Sequence, residues 1–233
     1  MYYTRSFFYY IFFNIHKVKI KQYFFIILLI IVLISTSCSI LSNYEIKIGK
    51  AICLEKSDLI YIKKITDDKI DKLTINTPYL KNTDIKGIKL YTDFDKTKKT
   101  RELLRTFFKE RGFLVFIAKQ YYNYNNNKNI LAIINSKDHF DIVRIQKTEN
   151  RQRNLTTDKI IKRLREWESK FRFEIIGAES YWIKARFITK PLDIRKFTEE
   201  LILFCPELLN DGTGKIEDMI AKMHRDNSFF LLF

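Results

Sequence analysis

The sequence predicts an α/β fold of the α+β type, a mixed or antiparallel sheet with helices packed on it. Three observations lead there. From residue 97 onward, segments with a helical apolar period alternate with continuous apolar or period-2 runs. These segments fall into two helix–strand–strand–helix units of similar length, which reads as a pseudo-repeat. Finally, 46% apolar and 15% aromatic residues, with only 6 Gly and 3 Pro, supply a packed core and exclude disordered, collagen-like or linker-dominated designs.

In chain order, residues 1–37 read as a signal peptide or N-terminal membrane anchor. Residues 23–34 (YFFIILLIIVLI) form an apolar run behind Lys17, Lys19 and Lys21, and small residues follow it. Twelve residues are too few to span a hydrocarbon core of about 30 Å unless 35–41 are drawn in. Leu33-Ile34-Ser35-Thr36-Ser37-Cys38 resembles the lipobox of bacterial lipoproteins, which implies lipidation at Cys38, although Ser35 stands where an aliphatic residue is preferred. An acylated lipoprotein, an uncleaved anchor and a cleaved signal all place the rest of the chain outside the cytoplasm, because the cationic flank stays inside. The expected location is the cell envelope, with the membrane as a partner through the N-terminus.

Residues 38–96 read as a tether and small N-terminal extension, the tether followed by a few short strands or a helix, polar with short apolar runs at 59–62 and 85–91 and turn signals at Thr77-Pro78 and Lys86-Gly87. Residues 97–233 are the expected α/β domain. An amphipathic helix over 99–111 carries Leu103, Leu104, Phe107 and Phe108, and Gly112 stops it. Residues 113–118 form a buried strand, an Asn-rich loop follows at 123–129, and 130–134 return as a hairpin partner. Phe140, Val143 and Ile145 mark a short helix. Thr156 or Thr157 caps the next helix, which bears Ile160, Ile161, Leu164, Trp167 and Phe171. Strand 173–176 precedes a period-2 strand in which Tyr181, Ile183, Ala185 and Phe187 alternate with Trp182, Lys184 and Arg186. Pro191 or Asp193 opens a helix with Ile194, Phe197, Leu201 and Phe204, stopped at Cys205-Pro206. The last helix holds Ile216, Met219, Ile220 and Met223, and 229–233 end the chain as a strand.

The formal charge is +15, of which Arg5, Lys17, Lys19 and Lys21 contribute four in an acid-free N-terminus, leaving +11 beyond it. Such a surplus favours anionic partners or simply a soluble surface. Arg151, Arg153, Lys162, Arg163 and Arg165, near Trp167 and Trp182, have the look of a nucleic-acid patch, a reading that export removes. Cys53 and Cys205 are a candidate disulfide in an exported domain, but Cys205 at an apolar helix end reads as a buried free thiol.

The segments Phe173-Glu174-Ile175-Ile176-Gly177-Ala178, Pro191-Leu192-Asp193, Phe197-Thr198-Glu199-Glu200, Phe204-Cys205-Pro206-Glu207 and Gly212-Thr213, preceded by Asp138-His139-Phe140-Asp141-Ile142 and Gln146-Lys147-Thr148, arrive in an order that resembles the DUF4253 family. That family is a bacterial domain of unknown function, so the resemblance implies a fold over 97–233 and no reaction. Glu207 replaces the usual Asp, Asp211 the usual Gln, and the C-terminus lacks the family's Trp-rich ending.

No residue is assigned as catalytic and no metal or cofactor is implied. The candidate cluster is Asp138, Asp141, Glu199, Glu200, Cys205 and Glu207, because clustered carboxylates shift one another's pKa and serve acid–base work. Each has a plainer reading: Asp138 as a helix cap (with His139 and Asp141 as a weak cation site), the glutamates as a solvated helix face, Cys205 as core. Gly212-Thr213-Gly214-Lys215 lacks the full phosphate-loop pattern and reads as a turn. The expected function is a protein-interaction or immunity-type module with a protein partner and no nucleic acid; the alternative is an envelope hydrolase using the carboxylates around Phe204-Cys205-Pro206-Glu207.

Overall fold

The computed structural model describes residues 41–66, 68–74, 86–121, 128–209 and 215–233. The signal or anchor segment, Cys38, the Thr77-Pro78 turn, most of the Asn-rich loop and residues 211–214 lie outside these described residues. Residues 41–233 form one compact unit, so the described part of the segment read as a tether followed by a few short strands or a helix is built into the domain. It contributes α1 (Asn43–Ala51), α2 (Lys56–Thr66), β1 (Ile70–Leu73) and β2 (Gly87–Thr92). The physical reason lies in short apolar runs: Ile48, Leu59, Ile62, Ile88 and Leu90 are each at most 1% exposed, which makes the segment part of a core.

The remaining elements follow the sequence closely. They are α3 (Thr97–Phe108), β3 (Phe113–Lys119), β4 (Asn129–Asn135), α4 (Asp141–Gln146), α5 (Thr157–Glu168), β5 (Phe173–Glu179), β6 (Trp182–Phe187), α6 (Ile194–Phe204), α7 (Ile216–Asp226) and β7 (Ser228–Leu232). A 3₁₀ turn, Lys109–Arg111, follows α3 and ends at Gly112 in the left-handed region (φ 78°). Thr156 and Asp193 cap α5 and α6 through the backbone N–H groups of Lys159 and Lys196. Within α3 the sequence reading is half corrected. Leu104 and Phe108 are fully buried, whereas Leu103 and Phe107 point outward, Phe107 stacking on Tyr61 at 4.0 Å. Thr97, Thr100 and Arg101 take the inward positions instead.

The strands form one seven-stranded mixed sheet of order β1-β2-β4-β3-β5-β6-β7. All neighbours are antiparallel except the central pair, β3 and β5, which run parallel with Ile117 beside Gly177. Each central strand has its own hairpin partner on its outer side. A two-fold axis along the strands, between β3 and β5, therefore exchanges the hairpins, and such an operation also exchanges the faces of the sheet. The helices obey it: α3, which leads into β3, packs on one face through Leu104 and Phe108, and α5, which leads into β5, packs on the other through Ile160, Leu164 and Trp167. Both helices have 12 residues and both strands 7. Both hairpins slip register, at Ile117/Lys119 and at Ile175/Gly177. The expected pseudo-repeat is thus present, with alternate residues of β3 and β4 feeding opposite cores.

One core contains α1, α2 and α3 residues; the other contains α4, α5, α6 and α7 residues and a continuous set of edge-to-face aromatics around Trp167, Phe197 and Phe229. Among the described residues, no helix is long and apolar enough to cross a membrane.

Candidate functional site

Among the candidate carboxylates, Asp138 and Asp141 share Arg144, whereas Glu200 and Glu207 have partners of their own. Asp138 accepts the Phe140 amide at 3.0 Å ahead of α4, and guanidinium groups of Arg144 and Arg165 at 3.1 and 3.0 Å. Burial works against its charge, but that amide and the two arginines hold its carboxyl below the ordinary value. Asp141 accepts the Ser136 hydroxyl at 2.6 Å and also pairs with Arg144. His139 between them faces elsewhere. Its Nδ1 accepts the Ile175 amide at 3.1 Å, so Nε2 carries the proton donated to Glu168 at 2.8 Å. No group of His, Cys, Asp and Glu among the described residues is arranged to hold a metal ion.

Glu200 accepts Trp167 Nε1 at 3.0 Å and Lys170 Nζ at 3.1 Å, beside a depression of about 300 Å³ bordered by Arg163 and Phe204. Glu199, next to it in the chain, is exposed on the outer side of α6. Glu207 accepts Asn150 Nδ2 at 2.9 Å with one oxygen, while the other sits 3.6 Å from Arg153. Cys205 is fully buried, and burial, helped by Glu207, pushes its thiol up to about 12. A thiol so disposed is neither nucleophile nor metal ligand at neutral pH. Cys53 is exposed and both cysteines are free, in keeping with the buried-thiol reading of Cys205. The basic patch also dissolves as a stacking surface: Trp167 and Trp182 are at most 1% exposed, Arg153 donates to the Phe204 carbonyl at 2.7 Å, and Arg165 is committed to Asp138.

A cavity of about 570 Å³ lies elsewhere, along β7 and α7. Trp182 and Lys184 enter it from β6, Ser228, Phe230 and Leu232 from β7, and Met219, Lys222, Met223 and Asp226 from α7. None of the six candidate residues lines it. Its volume and its mostly apolar wall with a few polar groups are those of a ligand site. Phe230 stacks on Trp182 with centroids 5.8 Å apart, and the room for the indole comes from Gly177, where an added Cβ would meet the ring at 3.0 Å. Trp182 Nε1 donates to Glu179 at 3.1 Å. Burial raises the Glu179 pKa, partly offset by that bond and by Lys119.

Lys184 stands on the same sheet face as Trp182 and Arg186 by strand alternation. Arg186 is satisfied, bridging Glu102 and Glu174, and Arg105 adds a 2.6 Å contact to Glu174. Lys184 has no such ion pair. Burial pushes its ammonium pKa down, Asp226 draws it up, and Lys222, Lys98 and Arg101 push it down further. A half-buried cation facing other cations is therefore a feature of the cavity, and it is what the sequence reading missed. The one available signal was Lys184 and Arg186 on the polar side of a period-2 strand, which by itself describes any solvated sheet face.

Neither curated proteins nor solved structures provide a match to the chain. Residues 130–232, from β4 to the end of β7, match the family model described as Domain of unknown function (DUF4253), and this C-terminal part, cavity included, is where the chain is similar to that family.

Proposed function

We propose that this chain is a membrane-tethered protein of the cell envelope that works by binding another protein, as an immunity-type or adaptor module does, with the cavity beside β7 as its contact site. The observation that supports this reading is the cavity itself: an apolar, cation-bearing groove at an end strand of the sheet, where partners commonly dock. The candidate carboxylates favour binding over hydrolysis, because each is engaged by cations or amide donors: Asp138 and Asp141 share Arg144, whereas Glu200 and Glu207 have partners of their own. The tether rests on the apolar run ahead of Cys38.

A photo-crosslinking residue at exposed Lys222, in the full chain in its native cells, is expected to trap a discrete protein product that is absent with the same probe at exposed Asp158 on α5. Equal products from both positions, or none from Lys222, would contradict the reading. Cys38→Ser is expected to move the protein from the membrane fraction to the soluble one; an unchanged distribution would remove lipidation from the account.

A further inference from the structure

The groove beside β7 combines unused backbone groups, an aromatic wall and surplus positive charge. The bonds from Phe233 N–H to the Tyr181 carbonyl and from Phe187 N–H to the Asn227 carbonyl turn the odd-numbered residues of this strand toward β6. The even-numbered ones, Ser228, Phe230 and Leu232, accordingly turn their N–H and C=O outward, since β7 ends the sheet. Leu232 uses its N–H on the Cys205 sulfur, which closes one end of the edge. Ser228 and Phe230 form no such bond among the described residues, and both line the cavity.

We infer that the occupant is an extended, acidic segment of the partner protein that adds a strand to β7 over Ser228 and Phe230. The inference rests on the binding role proposed above and names the chemistry of what binds. An incoming strand completes the backbone pairing that an edge leaves open. Every second side chain of it stands on the face of Trp182, Lys184 and Phe230. A carboxylate there meets Lys184, whose charge is half-buried without an ion pair, and Lys222 at the rim. Asp226 is the one carboxylate among the described lining residues, so the groove is electrostatically incomplete in favour of an acidic guest. A second copy of this chain, at a formal charge of +15, would bring like charge against like.

The test uses the full-length protein and two capped hexapeptides, one alternating Glu with Val and one alternating Lys with Val. The Glu peptide is expected to bind at least about ten-fold more tightly, as a charge-assisted contact allows, and to shift the amide resonances of Ser228 and Phe230. Lys184→Gln and Lys222→Gln are each expected to weaken that binding; because Lys222 is exposed, its variant keeps the test valid should Lys184→Gln fold poorly. Equal affinity for the two peptides, or affinity unchanged in Lys222→Gln, overturns the inference. If crosslinks at Lys222 persist while the acidic peptide fails, the acidic-strand inference alone falls; if both fail, the binding role falls with it.

Discussion

Glu45 shows how a single carboxylate fixes the N-terminal part of the domain. It is 4% exposed, and its oxygens accept the Ser42 amide at 2.8 Å, Lys63 Nζ at 2.9 Å and the Ile70 amide at 3.1 Å, tying α1 to α2 and β1. Burial opposes the charge, but Lys63 and the amide donors outweigh it and hold the pKa at about 2 against an ordinary 4.5. A folded-state pKa below the unfolded one means that this stabilisation is complete above about pH 4.5 and is lost as the pH falls toward 2. Glu45→Gln is expected to lower stability at neutral pH by roughly 2–3 kcal/mol. In denaturant titrations the gap to wild type should close on acidification through that window; a gap independent of pH would contradict the assignment. At this scale the sequence was legible where partners are local. Asp138 accepts the amide of Phe140 two residues on, although Phe140 and not Asp138 is the N-cap of α4, whereas its partner Arg165 is 27 residues away and no pattern in the chain announces it. Glu45 itself lay in a stretch read as tether.

At the scale of elements, apolar period located β3 to β7 and α3 to α7, and end signals such as Thr156, Asp193, Gly112 and Cys205-Pro206 set boundaries close to those observed. Period alone did not tell which side of α3 faces in. Leu103 and Phe107 satisfy a helical stripe as well as Leu104 and Phe108 do, and Thr97, Thr100 and Arg101 were passed over because polar residues seldom mark a core. The short elements α1, α2, β1 and β2 were legible only as a few short strands or a helix without bounds, for a related reason: four-to-eleven-residue runs with interspersed lysines carry little periodic signal until a sheet buries them. One element-level contact has a direct test. Gly177, at the register slip of β5 and beside Ile117 of β3, leaves the space that Trp182 fills. Gly177→Ala is expected to cost about 1–3 kcal/mol by overpacking and to disturb the Trp182–Phe230 stack. Its readouts are the unfolding midpoint and the tryptophan near-ultraviolet signal; an unperturbed midpoint and spectrum would mean that the indole has room the structure does not give it.

On the scale of the molecule, the pseudo-two-fold arrangement was visible in the sequence as two units of like pattern, but their mutual placement was not. A parallel pairing of β3 with β5, which puts α3 and α5 on opposite faces, is a long-range choice between alternatives that the same local patterns permit. The candidate cavity is more hidden still, because it draws β6, β7 and α7 together and its charged residue, Lys184, looks in sequence like any solvent-side lysine. The family match from residue 130 onward covers those elements but omits β3, the central strand they assemble around.

All of this converges on β7 as an end strand whose outward backbone groups at Ser228 and Phe230 are available. Residue-resolved hydrogen exchange on the free protein measures that most directly. The account predicts fast exchange at the Ser228 and Phe230 amides and slow exchange at Phe229 and Leu231, which bond to β6. Equal protection of all four amides would show the edge to be already occupied and would contradict the proposed docking site.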